Sequence, residues 1–146
     1  MDTLQNLLAL RNLHWSEIKE RYKIKEEHIE SDSTYQKLSG LIEIYNPDVF
    51  PVRFFLLNDN VLLIYTSDLA IVDTLDGKKI KEQYGMEDEN YLRSRAGKKS
   101  NLMVYPEAGF AVSIKNNEVD FIEVFHPTTL EQYKKDIYIE VGPFIR

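Results

Sequence analysis

The stretch that decides the fold runs from Leu102 to Phe125 and reads LMVYPEAGFAVSIKNNEVDFIEVF. Its three apolar runs, 102–105, 110–115 and 119–125, are separated by the turn residues 106–109 and by Asn116-Asn117. Asn tolerates positive φ better than other non-glycine residues, so the Asn pair is a good two-residue hairpin turn. We therefore predict three consecutive antiparallel strands in this stretch.

Three more short apolar runs lie upstream, at Val52–Leu57, Val61–Tyr65 and Leu69–Asp73. Asn, Asp, Ser and Thr residues separate them, and these residue types favour turns. The run 61–64 is apolar at every position, which indicates a strand that is covered on both faces. Together with the downstream stretch, these runs predict an antiparallel sheet of five or more strands.

The N-terminal part reads as helical. Residues 2–39 contain neither Gly nor Pro, and their apolar residues recur at helical spacing, which predicts one long helix or two helices broken near 12–14. A capping-box pattern at Ser33 and Gln36 predicts a further helix up to Tyr45. A strand over 41–45 is the alternative, because Gly40 interrupts that helix.

Two shorter helices complete the predicted α+β fold. One spans 78–84 with Gly85 as its C-terminal cap, and the other spans 129–137 after a capping box at Thr128 and Glu131. We predict a single domain with a mainly helical part at 1–45 and a sheet part at 52–146. We expect Phe144 and Ile145 to be packed, and we assign no internal repeat.

Composition excludes several classes of protein. The chain of 146 residues has no cysteine, which removes disulfides, thiolate metal sites and Cys nucleophiles. Its 18 basic and 24 acidic residues give a net charge of −6, which disfavours nucleic-acid binding. The segment Trp15–Ile24 is similar to part of a helix-turn-helix, but interleaved glutamates would face the phosphates. No secretory signal or membrane-length apolar run is found, so we expect a cytoplasmic protein.

Residues 74–125 carry a family resemblance. They combine a short helix ending Gln83-Tyr84-Gly85, a polar loop, the turn 105–109 and a strand hairpin. This unit resembles the helix-loop-sheet unit of small bacterial BLIP-like and SmpA/OmlA-like domains, although the Pro that commonly follows the helix-ending Gly is replaced here by Met86-Glu87-Asp88. The resemblance implies an interaction role through protein contacts on an exposed sheet, and it assigns no functional residue.

The basic residues concentrate in one loop. Residues 76–100 form the only basic stretch, and Arg93, Arg95, Lys98 and Lys99 are its candidates for binding an anion. The loop is not a phosphate-binding P-loop, because Leu92 stands where the motif requires Gly. The alternative is a solvated loop without a ligand.

Catalytic candidates are few. Glu123 shares one face of the last strand with apolar residues, which indicates either a bulge or a polar spot in the core. His126 follows three residues later, and the two would form an acid–base pair only if a bulge brought them to one face. The three histidines, His14, His28 and His126, lack metal-ligand spacing, so we predict neither a metal nor a cofactor.

These observations favour a small noncatalytic interaction module of inhibitor, immunity or adaptor type that recognises a protein partner. An acidic surface would speed association with a basic partner. The alternative is a small-ligand-binding protein or an enzyme with a pocket between the sheet and the N-terminal helices. Self-association through an edge strand stays open, because the sequence does not fix strand order.

Overall fold

One antiparallel sheet dominates the computed structural model, which describes residues 2–85 and 87–142. Its eight strands lie in the order β1-β2-β3-β4-β8-β7-β6-β5. The strands are β1 (Ile29–Tyr35), β2 (Leu38–Asn46), β3 (Phe50–Leu57), β4 (Asn60–Thr66), β5 (Tyr91–Arg93), β6 (Asn101–Tyr105), β7 (Phe110–Lys115) and β8 (Glu118–Phe125).

Five short α-helices accompany the sheet in the described part of the chain: α1 (Thr3–Leu10), α2 (Trp15–Arg21), α3 (Leu69–Val72), α4 (Gly77–Tyr84) and α5 (Leu130–Asp136). Single 3₁₀ turns at Glu26–His28 and Asp88–Asn90 precede β1 and β5. The predicted α+β class is confirmed. Within the described residues, no helix has the length and apolarity needed to cross a membrane.

The C-terminal predictions agree closely with the structure. The Asn116-Asn117 turn joins β7 to β8 with φ of 52° and 67°. Thr129 caps α5 by accepting a hydrogen bond from the Gln132 amide at 3.1 Å, and Gly85 ends α4 with φ 90°. Local turn and cap chemistry therefore placed these elements correctly. The expected packing of Phe144 and Ile145 lies outside the described residues.

The predicted helical part is wrong beyond α2 and the turn that follows it. Residues 29–35 and 38–46 form β1 and β2, so the strand alternative for 41–45 is confirmed. The capping-box pattern leads to no helix, because Gln36, with φ 52°, belongs to the tight turn between these strands. Leu41 and Ile44 are buried on opposite faces of the sheet, and burial on both faces outweighs local helix propensity.

The predicted strand at 69–73 is also wrong. Residues 69–72 form α3, which the Asp68 side chain caps by accepting a hydrogen bond from the Ala70 amide at 2.9 Å. This short helix begins the connection that carries the chain from β4, at the centre of the sheet, to β5, at its far edge. An apolar run of this length does not by itself distinguish a strand from a helix.

The chain is built from two structural repeats, contrary to the expectation of none. Each repeat has two short helices, a 3₁₀ turn and a four-stranded antiparallel meander, and the two last strands, β4 and β8, pair at the centre of the sheet. The two repeats share one sequence pattern, in Ile18-Lys19-Glu20-Arg21-Tyr22 and in Ile80-Lys81-Glu82-Gln83-Tyr84. These two segments lie at the ends of α2 and α4.

Backbone contacts repeat with the elements. The Trp15 amide donates to the Asp59 carbonyl at 3.0 Å, and the Gly77 amide donates to the Asn117 carbonyl at 3.1 Å. In each repeat this bond ties the start of the second helix to the last hairpin turn. Both last strands also change register at the corresponding place, after Phe55 in β3–β4 and after Ser113 in β7–β8.

Each face of the sheet buries its own apolar cluster. The four helices α1 to α4 pack on one face, and α5 with the residues after it packs on the other. Because of the register change in β8, Val119 belongs to the first cluster while Phe121 and Phe125 belong to the second. Glu123 lies between those two phenylalanines and is fully buried, which confirms the predicted polar spot in the core.

Candidate functional site

A buried polar cluster surrounds the Glu123 carboxylate beneath α5. Tyr35 from β1 donates its hydroxyl to Oε2, and Tyr133 from α5 donates its hydroxyl to Oε1. Arg95 approaches Oε2 with Nη1 at 3.4 Å, and its Nη2 donates to the Tyr35 hydroxyl at 2.6 Å. Both carboxylate oxygens therefore have partners, as a buried charge requires.

The Arg95 side chain closes this cluster from the solvent side. Its guanidinium carbon lies 4.3 Å from the ring centre of Phe121 and 5.1 and 5.5 Å from those of Tyr35 and Tyr65. The side chain is 34% exposed, while that of Glu123 is 1% exposed. Arg95 thus covers the carboxylate with a charge that aromatic faces also stabilise.

Burial raises the pKa of both tyrosines that face the carboxylate. The pKa of Tyr35 lies well above its ordinary value, first because the ring is buried and second because Glu123 is negatively charged nearby. The same two causes raise the pKa of Tyr133. Both hydroxyls therefore stay protonated and act as donors, so the cluster is a satisfied internal network that ties β1, β8, α5 and the 93–100 loop together.

His126 lies apart from this network. Its Nε2 is 2.8 Å from the Val61 carbonyl oxygen, and its side chain is exposed beyond the end of β8. The register change in β8 lies before Glu123, so it does not bring the two residues to one face. The structure therefore places the two catalytic candidates, Glu123 and His126, with separate partners.

The anion-site candidates are also divided. Arg95 stays partly exposed but contacts Glu123 and Tyr35, whereas Arg93, Lys98 and Lys99 are exposed and lie outside the Glu123 cluster. A buried hydrogen-bond chain, which the sequence did not reveal, holds the loop: Ser94 contacts Ser113, and Ser113 donates to Asp120 at 3.0 Å. Arg93, Lys98 and Lys99 are therefore the three loop cations whose side chains have no hydrogen-bond or ion-pair partner among the described residues.

An open groove of 740 Å³, which the sequence analysis did not predict, lies at one end of the sheet. Its walls are the end of α4, the 3₁₀ turn before β5, the β6–β7 turn and the first residues of α5. Three exposed carboxylates, Glu87, Glu89 and Glu107, line it. None of the three forms an ion pair with a described residue, and no Lys or Arg is among the described residues of its lining.

Two tyrosines form the aromatic side of this acidic groove. The rings of Tyr84 and Tyr105 lie 5.7 Å apart, and both pack against Phe110 with ring centres 5.0 Å away. The Tyr105 hydroxyl donates to the Gly85 carbonyl at 3.1 Å, and burial raises its pKa to about 12. This aromatic side is rigid because both rings pack against Phe110 and the Tyr105 hydroxyl is hydrogen-bonded.

Arg11 holds the β6–β7 turn that forms the opposite wall. Its Nη1 donates to the carbonyl oxygens of Ala108 at 2.7 Å and Phe125 at 3.2 Å. The Pro106 carbonyl also accepts the Thr128 amide at 2.8 Å, which links the turn to the start of α5. The acidic groove is thus formed before any ligand arrives.

A second cavity, of 450 Å³ and also open to solvent, lies between α1, α2, α3 and the start of β3. This is the region where the sequence placed the pocket of the alternative function. Leu7, Leu10, Tyr22 and Phe50 contribute to its mainly apolar lining. Within 2–85 and 87–142, no group of three or more His, Asp or Glu side chains is placed to hold a metal ion.

Comparison of the chain with known protein families, with curated proteins and with solved structures found no match.

Proposed function

We propose that this protein is a noncatalytic interaction module, of inhibitor, immunity or adaptor type, that binds a basic segment of a partner protein in the acidic groove. The observation that carries the proposal is the lining of that groove. Glu87, Glu89 and Glu107 present unpaired carboxylates beside two tyrosine rings, with no cation among the described lining residues.

Arginine and lysine side chains suit this lining chemically. A guanidinium can donate two hydrogen bonds to one carboxylate and stack on a tyrosine face. Tyr84 is partly exposed at the groove and offers such a face, with Glu87 and Glu89 following it closely in the chain. The chain's net charge of −6 adds long-range attraction for a basic partner and repels nucleic acid.

The walls of the acidic groove are already ordered without a ligand, so binding does not need to order them. Arg11 and the Pro106–Thr128 bond fix the turn, and the aromatic packing fixes the end of α4. A rigid groove loses little conformational entropy when a segment binds. The expected resemblance of residues 74–125 to BLIP-like and SmpA/OmlA-like domains would imply the same class of function.

The test uses fluorescein-labelled peptides of equal length in which alternate positions are all Arg, all Gln or all Glu. Fluorescence anisotropy compares the wild type with the variant E87Q/E89Q/E107Q. The matched control is E26Q/E27Q/E30Q, which removes three exposed glutamates outside the groove. Its net charge therefore equals that of the groove variant. We expect the Arg peptide to bind the wild type and the control, and to bind the groove variant at least about tenfold more weakly.

Two results would overturn the proposal: equal loss in both triple variants, which would indicate a nonspecific charge effect, or equal binding of the Arg and Gln peptides. A melting temperature within a few degrees of the wild type verifies that each variant is folded. A host-extract pull-down with the same three proteins then identifies the partner, which must be lost with the groove variant and kept with the control.

A further inference from the structure

The second cavity lies beside α2 in the first repeat, and the acidic groove lies beside α4 in the second. Tyr22 lines this cavity and Tyr84 lines the groove, and these tyrosines end the two Ile-Lys-Glu-x-Tyr segments. Apart from these tyrosines the two sites use different elements, because α1 lines the cavity whereas the 3₁₀ turn before β5 and the β6–β7 turn line the groove. Their linings have opposite chemistry.

Apolar side chains form the body of the first-repeat cavity. Leu7 and Leu10 from α1 are buried to 2% and 7% exposure, and Ile71 from α3 closes one side. The Tyr22 ring stacks on Phe50 with ring centres 4.8 Å apart and an interplanar angle of 11°. A volume of 450 Å³ lies within the range of small-molecule sites, which is about 300–1,000 Å³.

Arg21 provides the only charge among the described residues that line this cavity. It forms no ion pair and no side-chain hydrogen bond with any described residue, and its guanidinium carbon lies 6.0 Å from the Tyr22 ring centre. Asn6, Thr3 and the Tyr22 hydroxyl supply the other polar side-chain groups. An unpaired guanidinium beside an apolar cavity is complementary to a ligand with one anionic end.

We propose that this cavity binds a small apolar monocarboxylate, with its hydrocarbon chain among Leu7, Leu10 and Phe50 and its carboxylate on Arg21. A single arginine matches one carboxylate through two parallel hydrogen bonds. An alkylamine would place a like charge beside Arg21, and an alcohol would lack the charge-assisted bonds. The proposal is independent of the acidic groove and of its basic partner.

The test titrates octanoate, octanol and octylamine into the ¹⁵N-labelled full chain, each up to about 1 mM, the weak end of measurable affinity. We expect octanoate to shift the amide resonances of α1, α2 and Phe50. Octanol and octylamine should bind at least about tenfold more weakly, the effect of losing one charge-assisted hydrogen-bonded pair.

Three variants locate the site. R21Q should raise the octanoate Kd about tenfold or more, whereas K19Q removes a neighbouring charge outside the lining and should leave the Kd unchanged. A9F places a large ring at the exposed Ala9 position of the lining and should abolish binding while Arg21 is kept. Unchanged amide spectra elsewhere in the chain verify the fold of each variant.

The proposal is overturned if octanoate causes no shift in these amides, if octylamine binds as tightly as octanoate, or if R21Q binds octanoate like the wild type. Shifts that appear only around Arg93, Lys98 and Lys99 would also overturn it, because they would assign the anion to the exposed loop.

Discussion

Tyr65 and Glu123 lie directly opposite each other in the central strand pair β4–β8. Each is seven residues after the first Asn of the preceding hairpin turn, so the two occupy the same position in their repeats. One repeat has a partly exposed ring there and the other a fully buried carboxylate. Arg95 contacts both, which places its charge at the centre of the duplicated sheet.

Arg95 should be a structural residue and Arg93 should not. R95E would place a second carboxylate beside the buried Glu123, and we expect a loss of about 2–4 kcal/mol in the free energy of unfolding, less than for a fully buried pair because Arg95 is one-third exposed. R93E changes an exposed side chain and should cost less than about 0.5 kcal/mol. Urea unfolding measures both. Equal effects of the two reversals would contradict the role assigned to the Glu123 cluster.

Alkaline pH should destabilise the fold through Tyr35 and Tyr133. Their pKa values are raised in the folded state, so above the unfolded tyrosine pKa of about 10 the unfolded chain loses protons that the folded chain retains. Below that pH the two tyrosines make their full contribution to the free energy of unfolding. It should then fall by about 1.4 kcal/mol per pH unit for each tyrosine, or about 2.8 for both. Urea unfolding at a series of pH values measures the slope.

The phenylalanine variants provide the control for this pH dependence. Y35F and Y133F each remove a donor from the buried Glu123 carboxylate and should cost about 1–3 kcal/mol at neutral pH. Each should also make the alkaline slope shallower by about 1.4 kcal/mol per pH unit. A slope unchanged in the double variant would show that other groups cause the alkaline loss.

The two repeats should respond equally to the same core deletion. Ile18 and Ile80 occupy equivalent positions in α2 and α4 and are 0% and 4% exposed. I18A and I80A should each cost about 2–4 kcal/mol, because each removes a buried branched side chain. Leu69 is 69% exposed, so L69A should cost less than about 0.5 kcal/mol. A cost near that of L69A at either isoleucine would contradict the equivalence of the repeats.

Sequence patterns located the elements whose signals are local. The β7–β8 hairpin followed from Asn116-Asn117, and α5 from its Thr129 cap, because turn and cap residues act within a few positions. The strands β1 and β2 were misread because their apolar spacing also fits a helix. Pairing with β3, which is decided by distant residues, selects the strand.

The sites depend on contacts between residues far apart in the chain. Glu123 was identified as a polar spot, but its partners Tyr35 and Tyr133 come from two other elements and carry no local signal. Glu87 and Glu107 are far apart in the chain and line the same groove only because the second repeat folds them together. The repeated Ile-Lys-Glu-x-Tyr segment is a sequence signal that could have indicated the two structural repeats.

Gly109 should be the glycine on which the acidic groove depends most. Its φ is 81°, and a Cβ there would run into the Phe125 carbonyl oxygen and Arg11 Nη1. Gly40 has φ 67° but open space where its Cβ would lie. G40A should therefore cost only the strain of positive φ, about 1–2 kcal/mol, whereas G109A should cost more than that in the free energy of unfolding, because the Arg11 contacts must also move.

Since Arg11 holds the groove wall, G109A should also weaken binding of the Arg peptide while G40A leaves it unchanged. Equal unfolding costs, or peptide binding by G109A at wild-type strength, would show that the wall does not depend on this contact.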